Sequence, residues 1–317
     1  MLEEYRNGTI MQENKSEDSK EKFGVLRIIG EFILVYLMVE CFVGVLLAIP
    51  MVIMVIWTNN PEVLDTMAES VGMLCISNFV CVLEIAVPII WVLIREKRSI
   101  KSMGIIKEKV FSKYVIGYII GALMLTSFII ISVLFKANKV SMNPDVSYLY
   151  VFLFFIGFII QGAAEEVFLR GYFLTSLSKK TTILKAIIIS SIAFAVLHLA
   201  NPGITILAFA NLILFGVFMS VVFFKTNSIW MVCGIHAAWN FFEGAFFGTN
   251  VSGLPLLPAV VKVECKESLS LLNGGTFGPE GGLIVLVLLI IGILIAYFIP
   301  TKKKEMKKIE KKELEEA

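Results

Sequence analysis

Long apolar runs, separated by short polar breaks, occupy most of this chain. They fall at about Phe32 to Trp57, Val71 to Ile94, Tyr114 to Phe135, Tyr148 to the pair Lys179-Lys180, Ile183 to Leu199, Ile206 to Phe224, Ile229 to Phe247 and Leu283 to Ile299. Most have the ~17 to 25 residues that an α-helix needs to cross a hydrocarbon core of about 30 Å. Asn59-Asn60-Pro61 and Asn201-Pro202-Gly203 punctuate the pattern as turns. The expected fold is all-α: a polytopic transmembrane helix bundle of about eight spans. The bundle is expected over residues 27–300, between a polar tail at 1–26 and a charged tail at 301–317.

Loop charge orients the bundle. Residues 95–113, 170–185, 225–228 and 302–312 hold most of the Lys and Arg, whereas 58–68 and 201–205 hold none. By the positive-inside rule, eight spans with both termini cytoplasmic satisfy every loop. The lysines of the C-terminal tail suit a solvated segment held near anionic lipid. The N-terminal residues have no apolar stretch before a small-residue cleavage site, so the first run reads as an uncleaved anchor in the cell membrane.

Composition agrees with the pattern: 57% hydrophobic residues, 17% charged and a mean hydropathy of +0.85 are too apolar for a soluble domain. The formal charge of +2 gives no reason to expect nucleic acid. Membrane lipids and a membrane-associated peptide are the expected partners. Five scattered cysteines form no CxxC pair, which argues against a disulfide framework or a zinc ribbon.

Against this background the stretch from Gln161 to Gly171 is costly. Glu165 and Glu166 follow closely on an apolar run that opens at Val151, and Arg170 comes one helical turn later. Ionisable groups in hydrocarbon cost roughly 2.5 to 3.5 kcal/mol each on insertion scales, so they are usually partnered and functional. Adjacent residues diverge by about 100° on a helix, so the two carboxylates cannot face one centre alike. Glu166 and Arg170 stand at i, i+4, the spacing of a helical ion pair. Arg170 is therefore expected to position Glu166, leaving Glu165 inward as general base or ligand.

The chain's two histidines also fall in apolar runs. His198 follows Phe194 at i, i+4, while His236 and Asn240 share a face with Glu243 one turn further on, a candidate supporting partner. Counting residues from the basic ends places Glu165 roughly 21 Å deep, His198 roughly 24 Å and His236 roughly 12 Å, a spread that tilt can close. Two mechanisms stay open. His198, His236 and Glu165 have the chemistry to bind zinc with a position left for water. Without metal, Glu165 activates a water held by His198, while His236 and Asn240 donate to the developing oxyanion. Other intramembrane protease chemistries lack their residues, since no HExxH occurs, no run contains Asp and no GxSxG appears. Glu40, Glu84 and Asn211 read as interhelical hydrogen-bonding groups, and Gly157, Gly162 and Ala164 as points of close helix approach.

Three motifs in order, EExxxR at Glu165 to Arg170, FxxxH at Phe194 to His198 and HxxxN at His236 to Asn240, together with Gly216 and the lead-in Lys225 to Trp230, carry a resemblance. Over about residues 148–247 the chain resembles the CPBP family of intramembrane proteases, which comprises CAAX prenyl endopeptidases and bacteriocin-processing proteins and is also called Abi. The resemblance implies peptide-bond hydrolysis within the membrane, by metalloprotease or glutamate-protease chemistry. In bacterial relatives it implies processing of pheromones or bacteriocins, or self-immunity. A reading from another class is a non-catalytic transporter or an immunity or scaffold protein; a transporter would depend on Glu40 or Glu84 as well.

Overall fold

A computed structural model describes residues 24–60, 62, 67, 70–255 and 259–299. The two tails expected at 1–26 and 301–317 therefore lie almost wholly outside the described residues. The architecture is an all-α membrane bundle. Helix α1 spans Gly24–Thr58 and carries Pro50; α2 spans Val71–Ile94 and breaks at Cys81; α3 is Val110–Leu134. Strand β1 (Asn138–Met142) precedes α4, Tyr148–Lys180, then come α5 (Ile183–Leu197) and α6 (Ile206–Thr226). Helix α7 covers Ile229–Asn240 and continues as a π-helical turn over Phe241–Phe246; β2 (Val261–Cys265) and α8 (Leu283–Phe298) complete the described chain.

Among the described residues five helices, α1, α2, α3, α4 and α6, are long and apolar enough to cross a membrane, and α5 and α8 are shorter apolar helices. The chain is thus a multi-pass membrane protein. The expected seventh run is helical from Ile229 to Phe246, its last turn π-helical from Phe241. The first helix also starts earlier than the apolar run suggests, at Gly24, because α-helical hydrogen bonding extends past the hydrophobic stretch into polar sequence.

Hydroxyl caps fix where four helices begin, the first being α2, where Ser70 accepts from the Met73 amide. Thr182 accepts from the Lys185 amide, Thr205 from Ala208 and Ser228 from Trp230, each satisfying a donor that the first turn leaves open. Basic connections gather at one end of the bundle, where the Arg98 guanidinium donates to Ser102, Thr175 and Ser176, and Lys113 donates to the Thr226 carbonyl. The opposite end carries a cap that the hydropathy pattern left as loop. There β1 pairs antiparallel with β2, Asn138 opposite Cys265 and Met142 opposite Val261. Asn273 donates to the Ala137 carbonyl at the start of β1, and Asn211 of α6 donates to the carbonyls of Glu280 and Gly282 just before α8.

Two close approaches set the core. Gly117 and Gly121 of α3 form a GxxxG pair against α7, where an added Cβ would lie 2.1 Å from the Met231 carbonyl oxygen and 2.3 Å from that of Ile235. At Gly162 of α4 a Cβ would stand 2.7 Å from the Ala237 amide nitrogen. Helices α4 and α7 therefore touch backbone to backbone beside His236.

Candidate active site

Glu165 and Glu166 end the α-helical part of α4, and the next eight residues, Val167–Leu174, form a π-helix. Such wide turns recur at functional sites, since they reorient side chains without ending a helix. Glu166 is fully buried and Arg170 is 1% exposed; Arg170 Nη1 donates to Glu166 Oε1 at 2.9 Å, as the i, i+4 spacing anticipates. The guanidinium also donates from Nη2 to the Gly216 carbonyl at 3.4 Å and lies over the Phe194 ring, 5.0 Å from its centroid. A buried guanidinium needs such partners, because leaving any of its donors unmet in a dry interior is costly.

His236 joins this pair, through a contact the sequence reading missed. Its Nδ1 lies 2.8 Å from Glu166 Oε1, which directs the other ring nitrogen, Nε2, toward Glu165 Oε2 at 3.7 Å. The imidazole is held edge-on by Phe215 at 5.2 Å and Phe194 at 6.2 Å between ring centroids. Glu166 is thus shared between Arg170 and His236, whereas Glu165 keeps a partly exposed carboxylate, 22% accessible. The counted depths of Glu165 and His236 differed, yet the two side chains meet, because tilt and the π-helix alter the rise from each basic end.

Glu165 opens into a cavity of about 170 Å³ with His198, Asn201, Tyr36, Glu40 and Glu84 on its walls. His198 Nδ1 lies 2.8 Å from the Phe194 carbonyl oxygen, so the hydrogen bond within the FxxxH turn ties off one nitrogen and leaves Nε2 for the cavity. Glu40 and Glu84, taken from sequence as structural groups, face the same space as Glu165 and His198. The proline four residues beyond Glu84 lacks the N–H that would bond back to the Glu84 carbonyl, a local weakness in α2 beside the cavity. A larger cavity of about 780 Å³ lies under the cap, between 203–207 and 265–281, and contains none of the motif residues. Chemistry therefore favours the smaller one.

Asn240 donates from Nδ2 to Gln161 Oε1 at 2.8 Å, and Gln161 in turn donates to Glu165. Gln161, at i, i+4 before Glu165, is a site residue whose helical spacing was legible but whose partner on α7 was not. Glu243 is fully buried on the π turn that ends α7, and its Oε1 sits close to Gly278 of the cap. Glu280 is buried in the same cap and accepts from the Ser252 hydroxyl; burial pushes its carboxyl above the ordinary range against that bond.

The donor chemistry of His198, His236 and Glu165 suits zinc, since each imidazole has Nδ1 tied to a protein oxygen and Nε2 outward. Among the described residues, however, no three His, Cys, Asp or Glu groups are gathered closely enough to hold one ion. The chemistry below is derived from the side chains alone.

The segment that carries the motif residues of α4, α5 and α7 matches a known family model. Residues 147–242 match the family model described as type II CAAX prenyl endopeptidase, Rce1-like. That match bears out, over this segment, the CAAX prenyl endopeptidase resemblance carried by the three motifs. The chain is also similar to the uncharacterized protein YyaK of Bacillus subtilis (strain 168), 27% identical over 191 residues, 56% of this chain and 64% of that protein. The chain thus covers less than two thirds of that relative. No solved structure matches.

Proposed function

We propose that this chain is an intramembrane endopeptidase that hydrolyses a peptide bond of a membrane-embedded or lipid-modified peptide, using Glu165 to activate water. The observation that carries the reading is the placement of Glu165 between the His198 cavity and His236, with Glu166 and Arg170 bracing His236 from behind. Glu165 takes a proton from a water held by His198 Nε2, and the resulting hydroxide adds to the scissile carbonyl carbon. The oxyanion that forms receives hydrogen bonds from Asn240 and, in its protonated form, from His236 Nε2. Collapse breaks the C–N bond, and Glu165 returns the proton to the leaving amine. Oxyanion donors of this kind contribute about 10² to 10³ in rate and a positioned base about 10² to 10⁴. The Rce1-like match over the same residues supports the substrate class. Peptide pheromones, bacteriocin precursors and prenylated proteins are candidate substrates.

The test is processing in cells. Glu165→Ala, His198→Ala and His236→Ala are expected to abolish it while the protein still accumulates in the membrane; full activity in all three would overturn the reading. A transporter is separable because it depends on Glu40 or Glu84, which share the cavity. Uptake into vesicles lost in Glu40→Gln or Glu84→Gln, with no cleaved peptide in the wild type, would favour it. Activity of purified protein is expected to survive a strong chelator, and loss restored by added zinc would contradict the metal-free step.

A further inference from the structure

On the side of α7 away from Glu165 lies a second concavity. It is an apolar groove of about 460 Å³ between α3, α6, α7 and α8, lined by residues such as Leu123, Met124, Phe218, Ile235 and Ile295, with Lys225 at one end. None of these helices lines the Glu165 cavity, which α1, α2, α4 and α5 enclose. A substrate chain lying in the groove is therefore out of reach of Glu165. Along α8 the groove runs from Leu288 to Ile299, roughly 16 Å at helical rise, about half of a hydrocarbon core of about 30 Å. That is the depth of one leaflet.

The polar end identifies the occupant. Lys225 donates to the Tyr297 carbonyl at 3.2 Å, which holds its ammonium at the groove mouth, and Lys113 donates to the carbonyl of Thr226, itself a lining residue. Two cationic side chains thus stand where the headgroup of a lipid seated in the groove would lie, at the basic end of the bundle. The wall at the other extreme is closed to charge, with only the Ser127 hydroxyl among apolar side chains. The geometry points to a binding site for one phospholipid with an anionic headgroup, its acyl chain in the groove and its phosphate on Lys225. The chain would pack on Ile235, the neighbour of His236, so the lipid braces the helix that presents His236 to Glu166. This site does not depend on the proteolytic reading.

The test uses the full chain, purified in mild detergent, stripped of lipid and given dioleoyl phosphatidylglycerol or dioleoyl phosphatidylcholine. Native mass spectrometry reads retained lipid, and intrinsic tryptophan fluorescence reads the thermal midpoint. Phosphatidylglycerol is expected to be retained in a one-to-one complex and to raise the midpoint more than phosphatidylcholine. Lys225→Ala should weaken its retention by about fivefold, the effect of losing one lysine's attraction to an anionic lipid, and Lys225→Arg should keep it. Ile295→Trp, which adds bulk at a 55% exposed position inside the groove, should abolish retention of both lipids without lowering the lipid-free midpoint. Equal retention of the two lipids, or phosphatidylglycerol retention unchanged in both Lys225→Ala and Ile295→Trp, would overturn the proposal. So would displacement of phosphatidylglycerol by glycerol phosphate alone, since that would place the affinity in the headgroup and not in the groove.

Discussion

Glu166, Arg170 and His236 form a buried charged set in which each member depends on the others. Removing one partner of a buried ion pair typically costs about 3 to 5 kcal/mol, because the remaining charge is left without compensation. Arg170→Ala is therefore expected to reduce accumulation in the membrane and to lower the thermal midpoint of purified protein. Arg170→Lys should not restore it, since a compact ammonium lacks the planar fork that spreads separate donors to Glu166 and the Gly216 carbonyl while standing over the Phe194 ring. A normal midpoint in Arg170→Ala would contradict the structural role given to the pair. The Glu166 to Arg170 pairing was legible in the sequence because both residues lie on one helix at a fixed spacing. The bond from Glu166 to His236 was not, since it spans 70 positions and depends on how α4 and α7 face each other. The hydrogen bond from Asn240 to Gln161, which spans 79 positions, escaped detection for the same reason.

At the scale of elements, the approach of α4 to α7 rests on the missing side chain of Gly162. Gly162→Leu forces apart two backbones that touch at Ala237, and overpacking of this kind costs about 1 to 3 kcal/mol. The expected outcome is lower stability together with loss of processing, because the same displacement draws His236 away from Glu166; wild-type behaviour would show that the contact does not set the site. The cap carries a pH prediction. Burial raises the Glu280 carboxyl pKa, so folded protein holds this proton more tightly than the unfolded chain does. Its contribution is whole below the unfolded value of about 4.3 and is lost as pH rises through the raised folded value. Thermal midpoints measured across that window should fall less steeply in Glu280→Gln than in wild type, and identical slopes would contradict the assignment. Hydropathy located most of the helices, but it was blind to the β1–β2 sheet, whose five-residue strands lie in loops far apart in the chain. It was equally blind to the π-helices, which preserve the apolar run while changing which side chains face inward.

Across the whole molecule the bundle divides around α7, with an ionisable cavity formed by α1, α2, α4 and α5 on one side and an apolar groove formed with α3, α6 and α8 on the other. Glu40 and Glu84 belong to the first side, and sequence gave no sign of it, because their helices precede the motif region and reach the cavity only through packing. The helices bring the motif-bearing residues of α4, α5 and α7 to one place, where the Glu165 carboxylate both opens into the cavity and faces His236. The most direct test is therefore a comparison of membrane peptides from cells carrying wild type or Glu165→Gln, with both proteins present at equal levels. The account predicts that cleaved peptides found with wild type disappear and that their uncut precursors accumulate. Identical peptide populations in the two strains would contradict it.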